Sequence, residues 1–378
     1  LPLIRYKTPI KPGPGFMQGN EAAAEALFCA GVRFFGGYPI TPASEIMYTI
    51  ERRFRESGGV FFQAEDEIAA ISAVIGASWG GVKAATATSG PGFSLMVENL
   101  GYAVITETPM VLIDVQRAGP ATGQATRPSQ SDIYQVRWGT QGDYELIVLY
   151  PWSVQELFDL TVRAVSLSER FRVPVIVLTE ESVGHLRENI TIPEEIEVYE
   201  RDKEGSGPPF DMDEARVGRM PAFGDGEALL VTGSTHDHWG WRKTQDPEAQ
   251  ERLIRHLTGK IMNNRPEIDD WESYMTDDAD VLIFSAGISA RAGLAAARRL
   301  RKEGIKAGLI RPRTVWPFPE LSDAFSRFEA IFVPEMNTGR LSEEVKKRFH
   351  GQVIGINKLN ARAITPGEIV KCVLDSRG

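Results

Sequence analysis

The stretches Val111-Leu112-Ile113, closed by Asp114, and Pro174-Val175-Ile176-Val177-Leu178 run apolar without the in-and-out alternation of a half-buried strand. Such runs fit strands covered on both faces, as in the middle of a parallel sheet. Around them, from Gly19 to about Pro193, short apolar runs alternate with amphipathic stretches. Residues 32–35, 60–63, 83–87, 110–114, 145–149 and 173–178 read as strands, and residues 21–29, 43–53, 67–79, 94–105 and 154–169 read as helices. Strand, helix, strand in that rhythm predicts an α/β fold, a parallel sheet with helices on both faces.

Beyond about Ile192 the character changes to a segment rich in charge, Gly, Pro and Trp, including EGSGPPF and HDHWGWRK. It reads as a long connector with little regular structure before a helix at 247–262. A second alternating region follows, with strands at 280–285, 306–310, 330–333 and 352–355 and helices at 290–302, 321–327, 341–349 and 366–374. The expected organisation is a first domain at 15–195, a connector at 196–278 and a smaller α/β domain at 279–378.

With 378 residues, 42% of them hydrophobic, the chain is long enough for two or three cores. Its net charge of −9 makes nucleic acid a poor partner. No run approaches the roughly 18 to 20 apolar residues of a membrane span, and residues 1–14 lack the apolar stretch of a signal peptide. A cytoplasmic protein with no membrane contact is expected. Cys29 and Cys372 are the only cysteines and lie near opposite ends, so neither a disulfide framework nor an iron–sulfur or zinc site can be built from this chain's cysteines. His236 and His238 come nearest to ligand spacing, but a metal site needs three or four ligands.

In open parallel sheets the site lies beyond the carboxyl ends of the strands. After the first strand comes Gly36-Gly37-Tyr38-Pro39-Ile40-Thr41-Pro42, in which Thr41 is expected as an N-cap and Pro42 as the first helical residue. After the second comes Glu65-Asp66-Glu67, opening a helix rich in small residues. Its acids either complement the helix dipole in solvent or hold a desolvated carboxyl suited to proton exchange. The third loop, Thr88-Ser89-Gly90-Pro91-Gly92, is either a phosphate cradle or plain turn punctuation. The fourth, from Gln116 through Arg117 and Arg127 to Asp132, carries two arginines suited to a carboxylate. Neither GxGxxG nor GxxxxGK[ST] is present, which removes support from a nicotinamide dehydrogenase.

Taken together, YPITP at 38–42, EDEIA at 65–69, ATATSGPGFSLM at 85–96, QRAGPATGQATRPSQSD at 116–132, VTGSTHD at 231–237 and RPRTVWPFP at 311–319 resemble the alpha subunit of 2-oxoacid:ferredoxin oxidoreductases. The resemblance covers essentially the whole chain and is best to the 2-oxoglutarate type. It implies a pyrimidine-type thiamine-diphosphate-binding domain followed by a transketolase-C-terminal-like domain. The implied reaction is oxidative decarboxylation of a 2-oxoacid to acyl-CoA and CO2, with electrons passed to ferredoxin and coenzyme A as cosubstrate. Thiamine diphosphate would be shared with a beta subunit, which would hold Mg²⁺ and the 4Fe-4S cluster; gamma and delta chains are further partners in the family.

The resemblance makes Glu67 similar to the glutamate that hydrogen-bonds the aminopyrimidine ring, with Glu65 the alternative in register. It sets Tyr38, Pro39, Ile40, Ser89 and Gly90 against the cofactor and makes Thr41 and Arg117 similar to the residues that hold the substrate carboxylate. Arg127 resembles a further substrate-side arginine, or else pairs with Asp132. Branched-chain 2-oxoacids and pyruvate stay open as substrates, as does a scaffold subunit without chemistry. A transketolase or pyruvate dehydrogenase component is a further alternative, against which the YPITP and TSGPG pairing speaks. Gly224-Asp225-Gly226 with Asn263-Asn264 looks like a diphosphate motif, but no apolar strand precedes it. The diphosphate is therefore assigned to the partner, and obligate pairing predicts an apolar surface on the first domain.

Overall fold

The computed structural model describes residues 2–377. Its strands are β1 (Leu3–Lys7), β2 (Gly13–Gln18), β3 (Phe34–Gly37), β4 (Val60–Gln63), β5 (Ala84–Thr88), β6 (Met110–Gln116), β7 (Ile147–Leu149), β8 (Pro174–Glu180), β9 (Arg187–Ile192), β10 (Glu195–Tyr199), β11 (Trp271–Tyr274), β12 (Val281–Phe284), β13 (Ala307–Pro312), β14 (Thr314–Trp316), β15 (Ala330–Glu335) and β16 (Gln352–Asn357). The larger sheet has the order β14-β7-β8-β6-β5-β3-β4. Its six first-domain strands are parallel, and β6 and β8 at its centre are buried at every position. Helices Gly19–Cys29, Ser44–Ser57 and Val154–Phe171 pack together, as do Glu67–Trp79 and Gly90–Ile105. Each fully buried aliphatic side chain in these layers contributes about 1.5–3 kcal/mol, which is why the unalternating runs end up in the middle.

The smaller sheet has the order β11-β13-β12-β15-β16, parallel except for β11 at its edge. The helix Pro247–Met262 lies in the connector as its amphipathic pattern predicts, capped by Asp246, which accepts from the Ala249 N–H at 3.0 Å.

Three features depart from the sequence expectation. The connector expected at 196–278 holds strands at both ends, β10 pairing antiparallel with β1 and β11 with β13, while β9, just before it, pairs with β2. Gly and Pro in Gly13-Pro14-Gly15 disguise β2, and the partners lie far apart in sequence. The segment Thr314–Trp316 crosses over and adds β14 antiparallel to β7, closing the edge of the first sheet with residues from the second half of the chain. Three residues are too few for a periodic signal; what seats them is Trp316, buried, whose Nε1 donates to the Ile133 carbonyl at 2.7 Å. Finally, the helix expected from Ser94 begins at Gly90, directly after Ser89, with Pro91 in its first turn.

Candidate active site

The carboxyl ends of β3, β4, β5 and β6 bring the four loops together. Asp66 caps the helix Glu67–Trp79, its side chain accepting from the Ala69 N–H at 2.8 Å. That leaves Glu67 as the first helical residue, 4% exposed, while Glu65 is exposed. Apart from its own backbone N–H, no donor among the described residues reaches the Glu67 carboxyl. Burial pushes its pKa up, the backbone N–H opposes this, the Asp66 charge adds to the rise, and Arg117 opposes it. The carboxyl lies against Gly92, where a Cβ would overlap both Thr88 Oγ1 and Glu67 Oε1. Only glycine leaves room there.

Arg117 directly follows β6 and is 7% exposed. Its Nη1 donates to the Thr41 carbonyl at 2.6 Å, and Asp132 and Glu67 act on its charge. Thr41 itself is exposed and is not an N-cap. The helix begins later, at Ser44, with Ala43 before it and no side-chain cap. Residues 40–43 make a turn instead: the Ala43 N–H donates to the Ile40 carbonyl at 2.8 Å, and Asn20 Nδ2 holds the Pro42 carbonyl at 2.7 Å. Tyr38 is exposed, and Pro39 and Ile40 are half-buried on the same loop. Ser89 is the N-cap of Gly90–Ile105, but its buried Oγ has no partner among the described residues.

Arg127 lies on the far side of a tight loop in which the Ala118 N–H donates to the Arg127 carbonyl at 2.9 Å and the Arg127 N–H to the Gln124 carbonyl at 3.0 Å. It is exposed, with no ion pair among the described residues. Asp132 does not pair with it; its side chain lies beside that of Asp114, and each acts on the other's ionisation. A cleft of about 570 Å³ runs between Gly90, Pro91, Ser94, Arg117, Gly119 and Asp132. Glu67, Thr41 and Tyr38 are not among its walls.

Behind the cleft lies a set of residues that the motif reading passed over. The Gln130 side chain donates to Tyr150 Oη (2.9 Å), Glu180 Oε1 (2.8 Å) and the Ala286 carbonyl (3.0 Å), and accepts from Ser289 Oγ (2.8 Å) and the Met336 N–H (3.1 Å). Ile288 N–H of the second-domain helix Gly287–Lys302 donates to Glu180 Oε1 at 3.0 Å. The second half of the chain thereby holds the loop that carries Arg117 and Asp132. Two signals were available: an acid within the apolar run ending at Asp114, and another closing the run that ends at Glu180.

The diphosphate look-alike serves a structural purpose. Asn263 and Asn264 donate through Nδ2 to the Glu214 and Ala215 carbonyls at 3.0 Å, tying down the connector. His236 is buried, with its two ring nitrogens against the carbonyls of Asp237 and Ile105. Among the described residues no cluster of three or more His, Cys, Asp or Glu is gathered for a metal, and no helix is long and apolar enough to cross a membrane. The first domain exposes large apolar side chains near the site, including Tyr48, Phe62, Ile68 and Leu95.

The family described as pyruvate flavodoxin/ferredoxin oxidoreductase, thiamine-diphosphate-binding, matches residues 25–256, and pyruvate:ferredoxin oxidoreductase core domain II matches residues 279–369. The chain is 48% identical to 2-oxoglutarate synthase subunit KorA of Methanothermobacter marburgensis, covering 95% of this chain and 98% of that one. It is 36% identical to ketoisovalerate oxidoreductase subunit VorB of Methanothermobacter thermautotrophicus, over 87% of this chain and 88% of that one. The solved 2-oxoglutarate:ferredoxin oxidoreductase from Magnetococcus marinus, with 2-oxoglutarate, coenzyme A and succinyl-CoA bound, is similar at 33% identity and a TM-score of 0.92, over 97% of this chain and 66% of that one. With the buried carboxyl, the arginine and the two sheets in this arrangement, the chain belongs to the thiamine-diphosphate-binding 2-oxoacid:ferredoxin oxidoreductase family, as a subunit of the alpha kind.

Proposed function

We propose that this chain is the alpha subunit of a 2-oxoglutarate:ferredoxin oxidoreductase that forms succinyl-CoA and CO2 and passes two electrons to ferredoxin. The observation that carries the proposal is Glu67: a carboxyl buried at a helix start, with no side-chain partner, beside Arg117. The residues fit thiamine diphosphate, because the Glu67 carboxyl and the buried, unpartnered Ser89 Oγ both await a polar group, and Gly92 keeps the approach to Glu67 free of a side chain. When bound, the cofactor supplies the nucleophilic carbon and electron sink for decarboxylation. Glu67, whose pKa burial raises, would share a proton with an aminopyrimidine nitrogen, with Tyr38, Pro39, Ile40, Ser89 and Gly90 lining the cofactor. Arg117 and Thr41 would hold the carboxylate next to the 2-oxo group, and Arg127, exposed and unpaired, a distal carboxylate.

Mg²⁺ and a 4Fe-4S cluster are assigned to a beta subunit, and the apolar side chains around Ile68 and Leu95 suit such a partner. Gamma and delta chains are further candidates for the complex. A branched-chain 2-oxoacid is the second reading, favoured by the similarity to VorB. The test is anaerobic viologen reduction by the chain assembled with its native partner, with thiamine diphosphate, Mg²⁺ and coenzyme A, across a panel of 2-oxoacids. Reduction with 2-oxoglutarate alone supports the proposal. Reduction with branched-chain acids alone moves it to the second reading, and no reduction with any acid overturns both.

A further inference from the structure

We propose that Asp114 and Asp132 share a single proton and thereby set the charge that Arg117 presents to the substrate anion, which makes the pair a positioning element of the site. The proposal rests on the assignment of an anionic 2-oxoacid to Arg117. Its ground is geometric. Asp114, on the central strand β6, is fully buried, and Asp132 is 9% exposed at the wall of the cleft. Among the described residues, no N–H or O–H reaches either oxygen of Asp114 or Oδ2 of Asp132. Asp114 and Gln116 share one face of β6, and Gln116 holds the Asp132 backbone, so the two carboxyls lie side by side and act on each other's charge. Two bare carboxylates have no hydrogen to place between them, so one carboxyl proton must occupy that contact.

The surroundings cannot substitute for it. Gln116 is the nearest amide, but its Oε1 accepts from the Asp132 backbone N–H at 3.0 Å and its Nε2 is committed to Tyr150 Oη and the Thr179 carbonyl. Thr88 sits opposite Asp114 on β5, and Gly90 packs against Asp132 Oδ2. The charged groups that bear on the pair are Arg117, directly on Asp132, and Glu67 through its action on Arg117; Glu180 lies farther off, beyond Tyr150 and Gln130. Burial and mutual repulsion hold the pair's ionisation above the ordinary aspartate range, and Arg117 opposes them at Asp132.

With the proton shared, one negative charge faces the one positive charge of Arg117, and an incoming carboxylate meets a site near neutrality. When the proton leaves, two negative charges face Arg117 and the anion is repelled. Substrate affinity should therefore fall on the alkaline side while the chemical step is untouched.

The test uses the assembled enzyme. KM and kcat are measured for 2-oxoglutarate from acidic to alkaline pH, alongside calorimetric affinity for N-oxalylglycine, an unreactive analogue. In the wild type KM should rise about tenfold per pH unit above the pair's ionisation with kcat steady. In Asp114→Asn a neutral carboxamide donates where the proton was, so this rise should vanish. Asp132→Asn is the second variant, expected to flatten the profile in the same way. The infrared difference between wild type and Asp114→Asn should hold one buried protonated-carboxyl band, beyond those of Glu67 and Glu180 that both proteins share. Unaltered KM profiles in the variants, or no such band in the wild-type-minus-variant difference, overturn the proposal. If no 2-oxoacid turns over, the assignment of function fails, but the band and its loss still decide whether the proton is shared.

Discussion

Arg117 Nη1 donates to the Thr41 carbonyl at 2.6 Å, joining the end of the central strand β6 to the loop after β3. The arginine is therefore fixed by one arm, with the rest of the guanidinium turned toward Asp132, Glu67 and the cleft. Arg117→Lys keeps a charge but cannot bond Thr41 and a carboxylate in the same planar fork. We expect KM for 2-oxoacids to rise about 10-fold in Arg117→Lys and about 100-fold in Arg117→Ala, on the scale of one lost charge-assisted contact. Steady-state kinetics check this, and an unchanged KM in Arg117→Ala would remove the carboxylate role.

Gly92 and Glu67 make a paired prediction. Glu67→Gln preserves shape and should leave assembly intact while lowering turnover by about 10²–10⁴-fold, the range of a lost general acid–base group. Gly92→Ala leaves the acid in place but drives a methyl into Glu67 Oε1 and Thr88 Oγ1. It should also depress turnover, with about 1–3 kcal/mol of lost stability from overpacking. Viologen reduction and thermal unfolding together separate the two. Normal turnover in Gly92→Ala would mean that the Glu67 position is not critical.

Much of this was legible in the chain because the central strands are buried on both sides. Val111 to Asp114 and Pro174 to Leu178 need no partner to be recognised, and loops at their ends follow from parallel topology. Glu67 was separable from Glu65 only once Asp66 was seen as the cap, since three consecutive acids carry no periodicity. Thr41 misled because Thr-Pro before a helical pattern is the usual sign of a start, whereas here Asn20, far back in the chain, claims the Pro42 carbonyl. Gln130 and β14 stayed hidden for the same reason: their significance lies in contacts with residues 286–289, 336 and 147–149, which no local pattern encodes.

Ile68 and Leu95 are 46% and 48% exposed on neighbouring helices that flank Glu67. If this face meets the beta subunit, Ile68→Asp and Leu95→Asp should each weaken association by about 10-fold or more, since a charge buried at the centre of an apolar interface is strongly unfavourable. The folded chain alone should keep its unfolding temperature. Analytical ultracentrifugation of mixed chains measures the effect, and full association in the double variant would locate the partner elsewhere.

Glu180 is fully buried, and burial is the main reason its pKa rises to about 7 from the ordinary 4.5. The folded protein then retains a proton that the unfolded chain releases between those values. Stability should fall as pH rises from 4.5 through 7, by up to about 3 kcal/mol, and level off above that. Glu180→Gln cannot ionise and should lack this slope while still accepting from Ile288. Urea unfolding at pH 5 and pH 8 tests the sign: equal slopes in both proteins would show that Glu180 is ionised across the range.

Gln130 gives the sharpest test of how the second domain supports the site. Its side chain serves Tyr150, Glu180, Ala286, Ser289 and Met336 at once, so Gln130→Ala strands several buried polar groups and should cost about 2–4 kcal/mol. Gln130→Glu retains the acceptor for Ser289 and Met336 but turns a donor into an oxygen facing Glu180. It should therefore be as damaging as alanine at neutral pH and recover at lower pH, where one of the two carboxyls takes up a proton. Because Asp132 lies two residues on, loosening Gln130 should also release the loop between Arg117 and Asp132. Hydrogen exchange in that loop should rise in Gln130→Ala together with KM, whereas a purely stabilising contact would lower the unfolding temperature and leave both readings alone.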